Sequence, residues 1–361
     1  MDLTAATADL SGAVADAVKL LPVRAHDPVL SAVLITADSD GVTVAGTDTD
    51  RTVVLKKPAR THTDGTVLVP GRPLADTLRA LDVPEVRLTI EGNRLAIRTP
   101  RARFALPLLE TDRHPGIPTT PEPAGHVGTS FTRALTAVAG AASKDDALPL
   151  FSGVRIRSHG TTLRLIATDR YRLAVAELGW NPTRDLDVLI PATFATEIAR
   201  QAAGIPELTL HADMNRATVT WPNAEIGTSL LATPFPDESR YLGTTGDAQL
   251  ETDADALLGA VRRVGLYADG RGAIELDLAD NEVRVRSSDT DRGEADESIK
   301  ATVHGHLTQT YRAGYLVDAL RTFANRRVTI DIKTGMRSTV LRPTEPDDVD
   351  IHYVVMPILR G

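Results

Sequence analysis

The chain has 361 residues, 42% of them apolar and only 4% aromatic, with a net charge of −8 and no cysteine. Such a length predicts two or three domains with cores of Val, Leu, Ile and Ala. The composition excludes disulfides and thiolate metal sites, and the absence of any apolar run of about 18 residues excludes a membrane-spanning helix.

The opening "MDLTAATADL" has neither the positive nor the apolar region of a secretory signal, so a cytoplasmic protein is expected. The first predicted element is a helix, "LSGAVADAVKLL", with Leu10, Val14, Ala17 and Leu21 on one face. An apolar strand follows at 29–35, and then "GTDTDRTVV", with the pattern Thr47-Asp48-x-x-Arg51. A second helical stretch, "VPGRPLADTLRAL", starts at Val69. "VRLTIEGNRLAIRT" alternates apolar and polar residues around Gly92-Asn93, which predicts a hairpin. "HPGIPTTPEPAG" at 114–125 can continue neither a helix nor a central strand. The series then recurs as "LFSGVRI" at 150–156, "ATDRYRLAV" at 167–175 and "IPATFATEIARQA" from Ile190. After a second break, "TPFPDESRYLGTTGD" at 233–247, come "GRGAIEL" at 270–276, "SSDTDRGEA" and "YRAGYLVDALRTF" from Tyr311.

The recurrence has a fixed period. Asp48, Asp169 and Asp289 are 121 and then 120 residues apart, and so are Val33, Val154 and Ile274; Arg94, Arg216 and Arg337 hold matching places. A period of this size is a whole domain rather than a solenoid unit. The expected domains are 1–120, 121–246 and 247–361, each α+β with two helices and two antiparallel sheets.

An Asp at a strand end accepts backbone N–H groups in a turn and can pair with an Arg three residues on. Three copies in three domains cannot converge on one catalytic centre, so Asp48, Asp169 and Asp289 are read as scaffold. The middle copy differs. Tyr171 and Leu173, taken as exposed beside Arg170 and Arg172, suggest a partner-binding surface. No phosphate-binding loop, dinucleotide fingerprint, nucleophile elbow or zinc-protease motif occurs. His304 and His306 fall on one face of an expected strand, but without a third ligand no metal site is assigned, and no cofactor is implied.

At these residues the chain resembles a known family. "ATDRYRLAV", "FPDESRYL" at 235–242 and "YVVMPILRG" at 353–361 look like the bacterial sliding clamp, the β subunit of DNA polymerase III, and "LPLFSGVRI", "VPGRPLADTLRAL" and "RARFALPLL" fit it in the right order. Only six of the 40 basic residues are Lys, as in a clamp from a high-G+C genome. The resemblance implies a DNA clamp fold of three tandem like domains and a head-to-tail ring dimer. It implies a ring that encircles double-stranded DNA without sequence specificity, is associated with the nucleoid and catalyses nothing. The implied partners are a second copy of the chain, the polymerase III α subunit, the clamp loader and other proteins with a clamp-binding motif.

The resemblance maps a peptide pocket onto Phe151, Thr168, Arg170, Tyr171, Arg172, Leu173, Pro236, Tyr241, Val354, Met356, Pro357 and Ile358. It maps the subunit contact onto Phe104 and Leu106 of one copy and Val264 and Leu266 of the other. The helix-bearing stretches hold twelve Lys or Arg against eight Asp or Glu, an excess of +4 that leaves −12 elsewhere. A basic lining inside an acidic rim suits a sliding ring, with Arg24, Arg72, Arg79, Arg133, Lys144, Arg200, Arg262, Arg263 and Arg321 facing DNA. Arg170 stands where many clamps have a small residue, and "PILRG" alters the usual tail. Such departures keep open a paralogous clamp, specialised for repair or for resistance to a clamp-targeting antibiotic. An enzyme with a site between domains is a third reading.

Overall fold

The computed structural model describes residues 1–145, 148–236, 246–279 and 281–359. They form six α-helices and four antiparallel sheets. The contacts divide the chain into two compact units, Met1–Gly128 with Arg200–Leu230, and Thr129–Ala199 with Leu231–Gly361.

In the first unit, α1 (Thr7–Leu20) buries Leu10, Val14, Ala17 and Leu20. It packs on α2 (Gly71–Arg79), which buries Leu74, Ala75 and Leu78. Asp9 in the first turn and Lys19 in the last both complement the helix dipole. Leu21, expected on the helix face, is instead its extended C-cap, because Pro22 disfavours a helical residue before it. Leu21 is still buried, and a Cβ on Gly46 would come within 2.8 Å of its Cδ1, so Gly46 permits the close approach. The expected hairpin is present: Glu85–Glu91 pairs with Arg94–Arg98, and Gly92 takes φ +60°. One sheet has the strand order Arg60–Thr63, Asp2–Ala6, Glu85–Glu91, Arg94–Arg98, Arg103–Pro107, so the last strand is an edge.

The second sheet of this unit joins two repeats. Ala224–Ser229 pairs with Arg51–Lys57, and beyond these lie Leu208–Ala212 and Arg216–Trp221 on one side and Gly41–Thr47 and Ala32–Asp38 on the other. Gly227 sits opposite Thr52, where a Cβ would come within 2.6 Å of the threonine Oγ1.

The second unit repeats the arrangement. Arg172–Gly179 pairs with Val349–Val355 over seven residues, from Arg172↔Val355 to Leu178↔Val349, in a nine-stranded sheet. A four-stranded sheet has the order Gly293–Lys300, Glu282–Asp289, Ala273–Ala279, Leu307–Arg312. Against these sheets pack α3 (Ser130–Ala139), α5 (Ala254–Val264) and α6 (Ala313–Arg321), while α4 spans Ala192–Gln201. The Asp253 carboxylate caps α5 by accepting the Ala256 N–H at 2.8 Å. The central repeat is thus shared: its strands at 208–229 extend a sheet of the first repeat, and its strands at 153–179 extend one of the third. Sheet sharing makes four sheets where two per repeat were expected.

The histidine expectation is corrected. The strand Thr302–His304 ends at His304, and Gly305 turns at φ +85°, so His306 does not share its face. Among the described residues no group of three or more His, Cys, Asp or Glu is placed to hold a metal ion. No described helix is long and apolar enough to cross a membrane.

Candidate peptide pocket and charged surfaces

The recurring Asp builds the same turn each time. In the middle copy the Thr168 hydroxyl donates to the Arg172 carbonyl (2.7 Å) and accepts the Arg170 N–H (3.2 Å). Asp169 Oδ1 accepts the N–H groups of Tyr171 and Arg172, both at 3.0 Å. The first copy matches: Thr47 donates to the Arg51 carbonyl, and Asp48 accepts from Asp50 and Arg51. Thr49 and Arg170 hold corresponding left-handed conformations, φ +80° and +79°, which are uncommon without glycine. The hydroxyl and the carboxylate together fix that geometry. Asp289 accepts from Asp291 and Arg292. A fourth copy escaped the sequence pattern: Asp213 accepts from Asn215 and Arg216, but Ala212 replaces the hydroxyl residue.

The middle copy adds a buried ion cluster. Arg172 is 6% exposed; its Nε donates to Asp169 Oδ2 at 3.0 Å and its Nη1 to Asp318 of α6. Its guanidinium carbon also lies 4.9 Å from the Tyr315 ring centre. Tyr171, half exposed, stacks on Tyr315 with centroids 6.1 Å apart and planes 16° apart. Arg170 extends over Phe151 and Tyr171.

Leu173 is buried, contrary to expectation. It lies opposite Val354 and packs with Ile166, Val175, Val340 and Val354, with Phe235 against the cluster. The strand starts only at Arg172, so Tyr171 belongs to the turn. The tail runs back to the same place: the Met356 N–H donates to the Tyr171 carbonyl (2.8 Å), and the Ile358 N–H to that of Thr310 (2.9 Å). Pro357 is buried, while Met356, Ile358 and Pro236 are half-buried. Tyr241 lies outside the described residues. Tyr315, Asp318, Arg312 and Phe235 were not foreseen, since only tertiary contact links them to the turn.

The nine basic residues expected to face DNA are all exposed. Five are held by carboxylates: Arg79 by Asp76, Arg133 by Asp347 and Asp348, Arg200 by Asp16, Arg263 by Glu297 and Arg321 by Asp318. Arg24, Arg72, Lys144 and Arg262 make no ion pair among the described residues.

At the two sheet edges the expected contact residues divide. Phe104 is 40% exposed and Leu106 half-buried on the edge strand Arg103–Pro107. Leu266 is 72% exposed, with Tyr267 exposed beside it. Val264 is corrected: it is 1% exposed, on the buried face of α5 with Leu257, Ala260 and Val261, and has no surface to offer a partner.

Comparison with known proteins matches this arrangement along the whole chain. The family models for the DNA polymerase III beta subunit fit residues 1–118 (N-terminal domain), 127–237 (central domain) and 240–359 (C-terminal domain). A beta sliding clamp of Micrococcus luteus is 32% identical over 300 residues, covering 81% of this chain and 97% of the relative. The chain belongs to the beta sliding clamp family, the beta subunits of DNA polymerase III. A clamp of Streptomyces coelicolor is 29% identical, covering 97% and 96% of the two chains. The clamp homolog GriR of Streptomyces muensis is 27% identical, covering 94% of each. The fold is that of the Thermotoga maritima beta subunit (TM-score 0.91, 22% identity) and of a Pseudomonas aeruginosa clamp bound to griselimycin (0.88, 23%), with all of both chains covered in each case. The sequence resemblance and the clamp fold are therefore correct, and the chain is a sliding clamp, a processivity factor of DNA replication.

Proposed function

We propose that two copies of the chain close head to tail into a ring around duplex DNA, and that the pocket at Tyr171, Met356 and Pro357 tethers the replicative polymerase and other partners. The observation that carries this is the pair of complementary sheet edges. One, Arg103–Pro107, presents Phe104 beside Arg101 and beside Arg98 and Arg103, which share Glu91 and leave the edge with a net positive charge. The other, Gly293–Lys300, carries Glu294 beside Leu266 and Tyr267, with Asp296 and Glu297 paired to Arg284 and Arg263. A head that is basic and a tail that is acidic, each with apolar anchors, favour a heterologous contact that closes.

The surface charges suit sliding. Phosphate contacts carry no base sequence. Arginines already held by carboxylates, such as Arg133 and Arg200, attract phosphate weakly and exchange quickly. Arg24, Arg72, Lys144 and Arg262 supply the remaining pull. The ring itself does no chemistry; it raises the local concentration of a tethered polymerase at the primer end. Partners are the α subunit, the clamp loader and proteins with a similar peptide, acting at the nucleoid.

The test is primer extension with a bacterial replicative polymerase and its clamp loader. Added protein should lengthen the products of single binding events, and a variant lacking Met356–Gly361 should not. Products of unchanged length with the intact protein would refute the proposal.

A further inference from the structure

Arg133 on α3 is held differently from the other exposed arginines. Its two guanidinium arms donate to two neighbouring carboxylates, Nη2 to Asp347 Oδ2 and Nη1 to Asp348 Oδ1, both at 2.5 Å. Arg326, just before the strand Arg327–Ile332, pairs with the same Asp347 oxygen. Two cations and two anions thus form one neutral cluster. Arg79 and Arg321 are each held by one carboxylate on their own helix, and Arg200 and Arg263 by one from another element. The pair that holds Arg133 comes from a loop 214 and 215 residues away in sequence.

The loop is built to hold that arrangement. It joins the strands Thr339–Pro343 and Val349–Val355, and Pro343 and Pro346 restrict its backbone. At one end the Thr344 N–H donates to the Arg327 carbonyl (3.1 Å), and the Thr344 and Thr329 hydroxyls bond at 3.0 Å. At the other end Val349 is fully buried opposite Leu178. Asp347 Oδ1 accepts the Asp348 N–H at 2.7 Å, which leaves Oδ2 for the two arginines. Arg326 is fixed too, with its N–H on the Phe323 carbonyl and its own carbonyl accepting the Ala254 N–H. A loop arranged in advance loses little freedom by holding a guanidinium. Two carboxylates on one guanidinium fork offer the kind of oxygens that a phosphate offers. Arg133 is 43% and Asp348 54% exposed, so the solvent side of the cluster is open to a competing anion.

We propose that the loop at 344–348 is an internal phosphate mimic, which keeps Arg133 and Arg326 from holding the DNA that the ring encircles. This rests on the reading of Arg133 as facing DNA. A phosphate can take Arg133 only by displacing Asp347 and Asp348, and the displaced carboxylates then repel it. The loop so removes two cations from the grip on the duplex, and a ring with fewer phosphate contacts slides more freely.

The experiment compares the full chain with its Asp347→Asn, Asp348→Asn variant. Binding to a short fluorescent duplex is followed by anisotropy between about 50 mM and about 200 mM salt. The two freed arginines should steepen the slope of log K against log salt by about 1.8, about 0.9 for each. Affinity should then fall about tenfold further over that range than it does for the intact protein. Adding Arg133→Gln and Arg326→Gln to the variant should restore the original slope. Asp64→Asn with Asp82→Asn, exposed residues of the other unit, makes the same change of net charge and should leave the slope within about 0.5 of the original. An unchanged slope in the loop variant would overturn the proposal, and a lower melting temperature without a steeper slope would make the cluster a staple between two repeats only. An equal rise in the Asp64 and Asp82 variant would overturn it as well, since net charge would then be the cause. So would the absence of binding by the loop variant at about 50 mM salt, where two freed guanidiniums must be felt. Retention of the intact protein on circular DNA tests the ring separately, so the ring can stand while the mimic falls.

Discussion

Arg172 and Asp318 form an ion pair across 146 residues of sequence, tying the turn beneath the pocket to helix α6. Arg172 is almost fully buried, so its charge depends on Asp318 and Asp169 together. Arg172→Ala would leave the half-buried Asp169 carboxylate with its two backbone N–H bonds but without a cation. It should destabilise the protein by roughly 3 kcal/mol in urea denaturation. Arg172→Lys, which keeps the charge and loses the fork, should fall between. A loss of less than about 0.5 kcal/mol for the alanine variant would mean the cluster is not a support.

In the proposed pocket the tail forms one wall, and it is pinned by the Met356 and Ile358 N–H groups and by the burial of Pro357. Deleting Met356–Gly361 should abolish peptide binding in calorimetry. Because two backbone hydrogen bonds go with it, stability should also drop, by roughly 1–3 kcal/mol. Retained peptide affinity in the truncated protein would place the pocket elsewhere.

At the proposed subunit contact, Phe104→Asp with Leu106→Asp changes an edge strand with little buried core behind it. Each monomer should therefore stay folded by circular dichroism, while the contact buries charge without a partner and fails. Sedimentation should show a monomer. A double variant that still sediments as a dimer would misplace the interface.

Acid should weaken the second unit through Asp187. Hydrogen bonds from Arg155, at 2.9 and 2.8 Å, hold this carboxyl below its ordinary 3.8, with partial burial opposing. The unfolded chain then binds more protons over that window. The pair's contribution is present above pH 3.8 and is lost as pH falls through the lower folded value. Asp187 is half exposed, so the effect should be about 1 kcal/mol or less. Between pH 7 and strong acid the wild type should lose more stability than Asp187→Asn. Equal losses would rule out the pair as the cause.

The turn chemistry was legible because it is local: a hydroxyl, a carboxylate and two backbone N–H groups lie within five residues. Asp213 shows the limit, since its turn survives with Ala212 in place of the hydroxyl residue. Periodicity gave the face of α1, apart from Leu21. Applied to α5 it would have put Val264 in the core, since Leu257, Ala260, Val261 and Val264 follow the helical spacing. Leu173 failed for another reason. Both faces of its strand are covered within a nine-stranded sheet, so alternation no longer marks exposure. The stack of Tyr171 on Tyr315 had no local signal, because 144 residues separate the rings in sequence. The sharing of sheets between repeats likewise depends on which strand edges meet.

The ring is tested most directly by retention on DNA. The protein is loaded by a clamp loader onto a nicked circular plasmid, freed of loader, and followed by gel filtration before and after the circle is cut. A closed ring should stay with the circle through a high-salt wash and leave within the time of the column once the plasmid is linear, since nothing but topology holds it. Loss from the intact circle at the same rate, or sequence-selective retention on linear DNA at physiological salt, would contradict it.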